Sequence, residues 1–245
     1  MTTVILFIFG AVIGSFLNVV GLRWDLKNFG GRSHCLKCGK VLGWRELVPI
    51  LSFFWLRGKC SGCKEKISWQ YPAIEIFTGL IFATVPYIFL PVFCIYVVIL
   101  IYDFKHKIIP DALVYISIVL AFLTSYFLLP SPFSFFDWLA GPILFVFFGS
   151  IWLFSRGRAM GFGDAKLGLS IGFLLGAAQS FSAIVLAFWI GASISLLYIL
   201  LGKTGFIKNP KRLTMKSEIP FAPFIFMGAW ISLIFQLDLL HVLSF

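Results

Sequence analysis

Two pairs of cysteines and two aspartates are the residues with the types and spacing to do chemistry. Cys35-Leu36-Lys37-Cys38 and Cys60-Ser61-Gly62-Cys63 are C-x-x-C pairs separated by 21 residues. A two-residue gap lets both thiolates of a pair face one ion, and four sulfurs at the corners of a tetrahedron suit zinc. Gly39, directly after Cys38, would relieve the tight turn of a metal knuckle. Four protein ligands leave no open position for water, so the zinc expected on Cys35, Cys38, Cys60 and Cys63 is structural. Two disulfides are the alternative, and the reducing compartment in which the topology below places this loop argues against them.

Asp164 lies in Met160-Gly161-Phe162-Gly163-Asp164-Ala165-Lys166, at the mouth of an apolar segment. An ionised carboxylate at a membrane helix centre costs about 2.5–3.5 kcal/mol, so an acid at a helix end invites a functional reading. Gly161 and Gly163 remove bulk and let a helix or an extended peptide approach the acid. Few partners are available among six Asp and four Glu, and Asp103, ending the apolar run Ile101-Tyr102-Asp103, is the one the topology puts level with Asp164. Two such acids can share one proton. The ionised member takes a proton from a water that attacks a peptide carbonyl, while the neutral member hydrogen-bonds the carbonyl oxygen. The competing reading of Asp103 is a boundary acid balanced by Lys105 and Lys107. Asp111, after Pro110, reads as a helix N-cap. Glu75, after Tyr71-Pro72, reads as an acid at its helix's N-terminal dipole, with a supporting functional role as the lesser alternative.

The elements that must position these residues are membrane helices. The 245 residues are 60% hydrophobic and 12% charged, with a mean hydropathy of +0.99, which is the composition of an all-α polytopic membrane protein. A formal charge of +10 would suit nucleic acid, but the basic residues are confined to connections between apolar runs, so they report topology and no nucleic-acid partner is expected. The first run, Val4 to Leu22, precedes the first basic residue, Arg23, which is the reverse of a signal peptide, so it is expected to stay as a helix. Seven further runs follow: Ile74–Leu90, Pro91–Tyr102, Leu113–Leu129, Trp138–Phe154, Leu167–Ala177, Phe181–Leu201 and Phe221–Leu237. Threading eight spans with both termini outside puts every Lys and Arg on one side, the cytoplasm by the positive-inside rule. The expected organisation is a first transmembrane helix over 1–22, a cytoplasmic tetracysteine domain over 23–72 and a membrane core over 73–245. Gly14 and Asn18 in the first span suit close helix packing and an interhelical hydrogen bond.

With these residues in view, the chain resembles the type IV prepilin peptidases, bacterial inner-membrane aspartic proteases with a GxGD motif. The resemblance rests on Gly14-Ser15-Phe16-Leu17-Asn18-Val19-Val20 with Arg23, both cysteine pairs, and Leu56-Arg57-Gly58-Lys59-Cys60. Tyr71-Pro72-Ala73-Ile74-Glu75, Asp103 with Ile109-Pro110-Asp111, Met160 to Leu167, and Pro220-Phe221-Ala222-Pro223-Phe224 complete it. It implies cleavage of the short basic leader of prepilins and pseudopilins after a glycine, at the cytoplasmic face, with Asp103 and Asp164 as catalytic residues. It also implies N-methylation of the new amino terminus with S-adenosylmethionine as donor, an activity in which Gly58 occupies a position that matters. Leu36 and Gln70 depart from the family's usual Pro and Arg; neither touches the aspartates. No Gly-rich Rossmann motif marks a cofactor site independently. Three readings compete with this one: a proton-coupled transporter, a presenilin-like protease, and a zinc loop that serves as a docking module for pilus assembly.

Overall fold

The computed structural model describes residues 1–26, 31–35, 37–128, 134–158, 160–203 and 221–239, without the side chains of 198, 199 and 201–203. Leu36, Pro130, Lys208, Lys211, Arg212, Lys216, Glu218 and Pro220 lie outside the described residues. Among the described residues eight α-helices follow in order: α1 (Thr2–Arg23), α2 (Leu51–Trp55), α3 (Gln70–Thr84), α4 (Leu90–His106), α5 (Asp111–Leu123), α6 (Phe135–Ser155), α7 (Phe162–Lys203) and α8 (Ala222–Phe235). Among the described residues no strand forms; His34–Val41 and Lys59–Lys66 are isolated bridges.

Among the described residues, four helical stretches are long and apolar enough to cross a membrane: Thr2–Arg23, Tyr87–His106, Phe135–Ser155 and Phe162–Leu197. The chain is thus a helical membrane protein. Among the described residues each of the eight apolar runs expected from sequence overlaps a helix, with two adjustments. The second run ends early, because Val85 turns extended before Pro86 and α3 stops at Thr84. The sixth and seventh runs, expected as separate spans joined at residues 177–180, are continuous in α7, and the break falls at Gly176 instead.

That break has a local cause. Gly176 sits at φ 73°, ψ −176°, a region essentially reserved for glycine. The freed amide of Ala177 donates to Asp137 Oδ1 at 2.9 Å. Asp137 is itself held by the Ser134 amide (3.0 Å) and hydroxyl (2.7 Å) in a capping box at the start of α6. One carboxylate therefore begins one helix and restarts another.

The described residues form two compact units, Met1–Lys105 and His106–Phe245. In the first, α1 packs along α3, and their approach depends on small residues: a Cβ at Gly14 would come within 2.8 Å of Thr78. Asn18 Oδ1 accepts from Gln70 Nε2 at 3.2 Å, the interhelical bond the sequence leads one to expect. α4 reaches α1 at Gly21, where a Cβ would come within 2.8 Å of Ile101. In the second unit α7 packs against α5, α6 and α8.

Replacing Gly176 by Ala forces a side chain into a backbone region it avoids and against Asp137 Oδ1 at 2.8 Å. Such strain costs about 1–3 kcal/mol. The expected outcome is a lower thermal unfolding midpoint for the purified protein in detergent, and an unchanged midpoint would show that the kink relaxes freely.

Candidate active site and metal centre

The cysteine loop folds as two copies of one short motif. In the first, Cys35 N–H donates to Lys40 O (2.9 Å) and Gly39 N–H to Cys35 O (2.9 Å); in the second, Cys60 N–H donates to Glu65 O (2.8 Å) and Lys64 N–H to Cys60 O (3.0 Å). Gly39 (φ 69°) and Lys64 (φ 59°) occupy the same left-handed position, one residue past the second cysteine of each pair. The glycine anticipated after Cys38 thus does its job, and a lysine accepts the same conformation in the second knuckle.

The four sulfurs lie within 4.8 Å of one another, with Cys35–Cys63 at 3.8 Å and Cys38–Cys60 at 4.0 Å. A zinc–sulfur bond of about 2.3 Å implies tetrahedral edges of about 3.8 Å, so the donor set fits zinc. A disulfide needs sulfurs about 2.05 Å apart, and the two pairs instead converge on a common point. The Cys38 and Lys37 amides hold the Cys35 thiol well below its usual range, to about 6, which favours the thiolate a metal requires.

Polar side chains join the knuckles. Glu46 accepts from the Gly43 amide at 2.8 Å and from Lys40 Nζ at 3.1 Å on one side, and from the Ser61 hydroxyl on the other. Ser61, the Gly43 amide and Lys40, in that order of weight, hold its carboxyl at about 2. Lys37 and Glu65 form a second bridge between the pairs. Sequence reasoning left Glu46 as one more loop acid; its signal is the capping-type spacing of Gly43-Trp44-Arg45-Glu46, with the side chain returning to the first amide.

Glu75 links the loop to the helices. It is 7% exposed and, because α3 starts at Gln70, stands in the second turn, beyond reach of the dipole role read from sequence. Its Oε2 accepts the Ile50 amide at 2.7 Å, and the Ser15 hydroxyl of α1 donates to it as well. Ile50 has φ 63°, ψ −57°, and Leu51 N–H reaches Pro49 O at 2.6 Å, which defines a γ-turn of the rare, strained kind on a β-branched residue. Gly58 closes α2 at φ 65°: its amide donates to Phe53 O (2.8 Å), its carbonyl accepts from Ile67 (2.8 Å), and a Cβ would meet the Phe53 ring at 3.1 Å.

Asp103 belongs to the first unit, in the last turns of α4, and is 4% exposed; among the described residues its Oδ2 has no hydrogen-bond partner. An unsatisfied buried carboxylate oxygen is costly and rare, so it needs an explanation. Lys105, one of the two lysines of the balancing alternative, donates through Nζ to Leu22 O at 3.3 Å. The Tyr102 hydroxyl donates to Asp25 Oδ1 at 2.6 Å, which also fixes this turn against the end of α1. That pair, 77 residues apart, has no signature in sequence.

Asp164 belongs to the second unit, in the first turn of α7, and is 6% exposed; its Oδ2 accepts the Gly161 amide at 3.2 Å. A Cβ at Gly163 would stand 2.8 Å from Ile109 Cβ, so glycine is required for that contact, whereas a Cβ at Gly161 would meet only Asp164 Oδ2 at an ordinary 3.5 Å. Lys166 Nζ donates to Asp111 Oδ1 at 2.6 Å and lies 5.2 and 5.1 Å from the Tyr115 and Phe162 ring centroids. Asp111 is therefore not the N-cap read from sequence. Pro110 holds that place, Asp111 is the first helical residue, and its carboxylate is drawn to Lys166.

A helical membrane protein with buried aspartates at the ends of two helices and a four-thiol loop defines a narrow class. Residues 8–89 match the bacterial peptidase A24 N-terminal domain, and residues 88–196 match the type IV leader peptidase family. A Bacillus subtilis (strain 168) prepilin leader peptidase/N-methyltransferase is 33% identical over 237 residues, 92% of this chain and 91% of the relative. One from Vibrio cholerae is 32% identical over 190 residues, 67% of this chain and 74% of the relative. An Escherichia coli type 4 prepilin-like proteins leader peptide-processing enzyme is 27% identical over 253 residues, 89% of this chain and 88% of the relative. No solved structure matches the chain. The chain belongs to the type IV leader peptidase family.

The Glu46 bridge favours the carboxylate, so it is whole above the ordinary glutamate value of 4.5 and is lost as pH falls through about 2. At neutral pH, Glu46→Gln should leave one zinc per chain bound but let a chelator extract it faster, while Cys38→Ser should abolish stoichiometric zinc. Elemental analysis and chelator kinetics on the purified protein check both, and unchanged extraction from Glu46→Gln would remove the bridge from the account.

Proposed function

We infer that this chain removes the leader from type IV prepilins and pseudopilins and methylates the new amino terminus, with Asp103 and Asp164 as the catalytic pair. The observation that carries this reading is that both acids are buried at helix ends, one with an unsatisfied oxygen, in a chain of the leader peptidase family. In the proposed reaction the ionised carboxylate removes a proton from water as the oxygen attacks the scissile carbonyl. The neutral partner donates to the carbonyl oxygen and stabilises the tetrahedral intermediate. The proton then passes to the leaving amine as the peptide bond breaks, and no covalent enzyme intermediate forms.

Gly161 leaves room for an extended substrate, and the close contact of Gly163 with Ile109 together with the Lys166–Asp111 pair sets the turn that carries Asp164. The proposed arrangement has eight spans in a bacterial inner membrane, termini outside, with the first helix at 1–22, the zinc domain at 23–72 and the peptidase core at 73–245. The one-sided distribution of Lys and Arg supports it. Cys35, Cys38, Cys60 and Cys63 hold zinc as a structural ion that takes no part in hydrolysis. Methyl transfer rests on what the relatives are named for, with S-adenosylmethionine as the donor.

Asp103→Asn and Asp164→Asn should each lower leader cleavage by about 10²-fold or more, with zinc content unchanged; full activity in either would refute the pair. Gly163→Val should also lower cleavage while zinc stays bound. Gly58→Val, which strains the turn before Cys60, should reduce methylation more than cleavage. Mass spectrometry of a co-expressed prepilin reads leader loss and the added methyl group together.

A further inference from the structure

The loop carries an apolar surface that neither zinc binding nor proteolysis uses. In the five-residue helix α2, Phe53 points inward, but Leu51 (64%), Phe54 (57%) and Trp55 (79%) are exposed, and nearby Trp69 is 67% exposed. Clustered large apolar side chains facing outward mark an interaction surface.

The polar contacts fix the depth of this surface. Ile50, which leads into α2, donates to Glu75, and Glu75 is bonded to Ser15 of α1. Ser15 lies eight residues before Arg23, so along the axis it is about 12 Å short of the end of α1. The other side of α2 is held at the same level, because the Phe53 and Trp69 rings are 4.7 Å apart and Gln70 bonds Asn18. A short helix level with the last third of a membrane span does not face bulk water. The charges beside it are basic: Arg57, Lys59 and Lys66 are exposed, in a loop with ten basic residues against three acidic ones.

We propose that α2 is an interfacial anchor: Leu51, Phe54 and Trp55 lie in the headgroup–acyl boundary of the bilayer the protein spans, and Arg57, Lys59 and Lys66 rest on anionic lipid headgroups. Aromatic rings prefer that boundary and basic side chains are attracted to anionic lipid there. The γ-turn at Ile50 is then a device that points the helix along the membrane plane, and the zinc knuckles hang from an element seated in lipid. The inference rests on membrane insertion of α1, not on peptidase chemistry, so it stands or falls independently of cleavage.

The test uses the full chain in phosphatidylglycerol-containing nanodiscs, with lipid brominated on the upper acyl chain as one quencher and aqueous iodide as the other. Subtracting the emission of Trp55→Phe from that of the wild type isolates Trp55. Its component should fall about twofold with brominated lipid and little with iodide. The bromine effect should weaken in phosphatidylcholine discs and in Arg57→Gln/Lys59→Gln. Placing Trp at position 54 in the Trp55→Phe background gives a second reporter on the same face, and retained zinc shows that each variant is folded. Quenching by iodide and not by bromine overturns the anchor. Shielding from both quenchers with a doubled particle mass assigns the face to a second copy and also overturns it. Equal bromine quenching in both disc types would remove the role of the basic residues.

Discussion

Polar atoms at membrane depth have no water to bond, and the polar contacts between helices answer to that constraint. Ser15 and Ile50 both spend their donors on Glu75, and Asn18 meets Gln70. On the other unit, the amide freed by the break in α7 is recovered by Asp137. Against this economy the exceptions are informative. Among the described residues, Asp103 Oδ2 and Asn18 Nδ2 are the buried side-chain atoms left without a partner. Asp103 is the acid to which the family resemblance assigns chemistry.

The extramembrane loop solves a different problem. It is too short and too polar to build a core of its own; its four thiols gather within 4.8 Å of one another, and Glu46 and the Lys37–Glu65 pair tie its two knuckles. Its one sizeable buried apolar contact, Phe53 at 7% exposure, lies against Trp69 beside the start of α3. The loop thus packs onto the start of α3 through an aromatic contact.

Much of this is legible in sequence for physical reasons. Helices in hydrocarbon announce themselves by continuous apolarity, and C-x-x-C spacing is dictated by the bite of a metal knuckle, so both can be read locally. The end of α3 is hard to place from sequence because Ile81 to Leu90 is apolar apart from Thr84, and only Pro86 signals a stop. The break in α7 was misplaced by one to four residues, since the decisive group, Asp137, lies in another helix 40 residues away. Asp111 looked like a cap because it follows a proline, and only the long-range Lys166 shows otherwise. The Glu75–Ile50, Tyr102–Asp25 and Glu46–Ser61 contacts all join distant segments, where residue types are uninformative until the fold brings them together.

The repeated knuckle has a topological consequence. Residues 35–38 and 60–63 bracket α2, and neither pair alone can complete a four-sulfur shell. An ion that joins them therefore closes a covalent-plus-coordinate ring around the aromatic helix, with Cys38 and Cys60 as its inner corners, 22 residues apart. Closing such a ring removes chain entropy from every state in which the loop is loose. Such an ion would act as a clasp, and the ring it would close carries the segment that Glu75 already pins at its start.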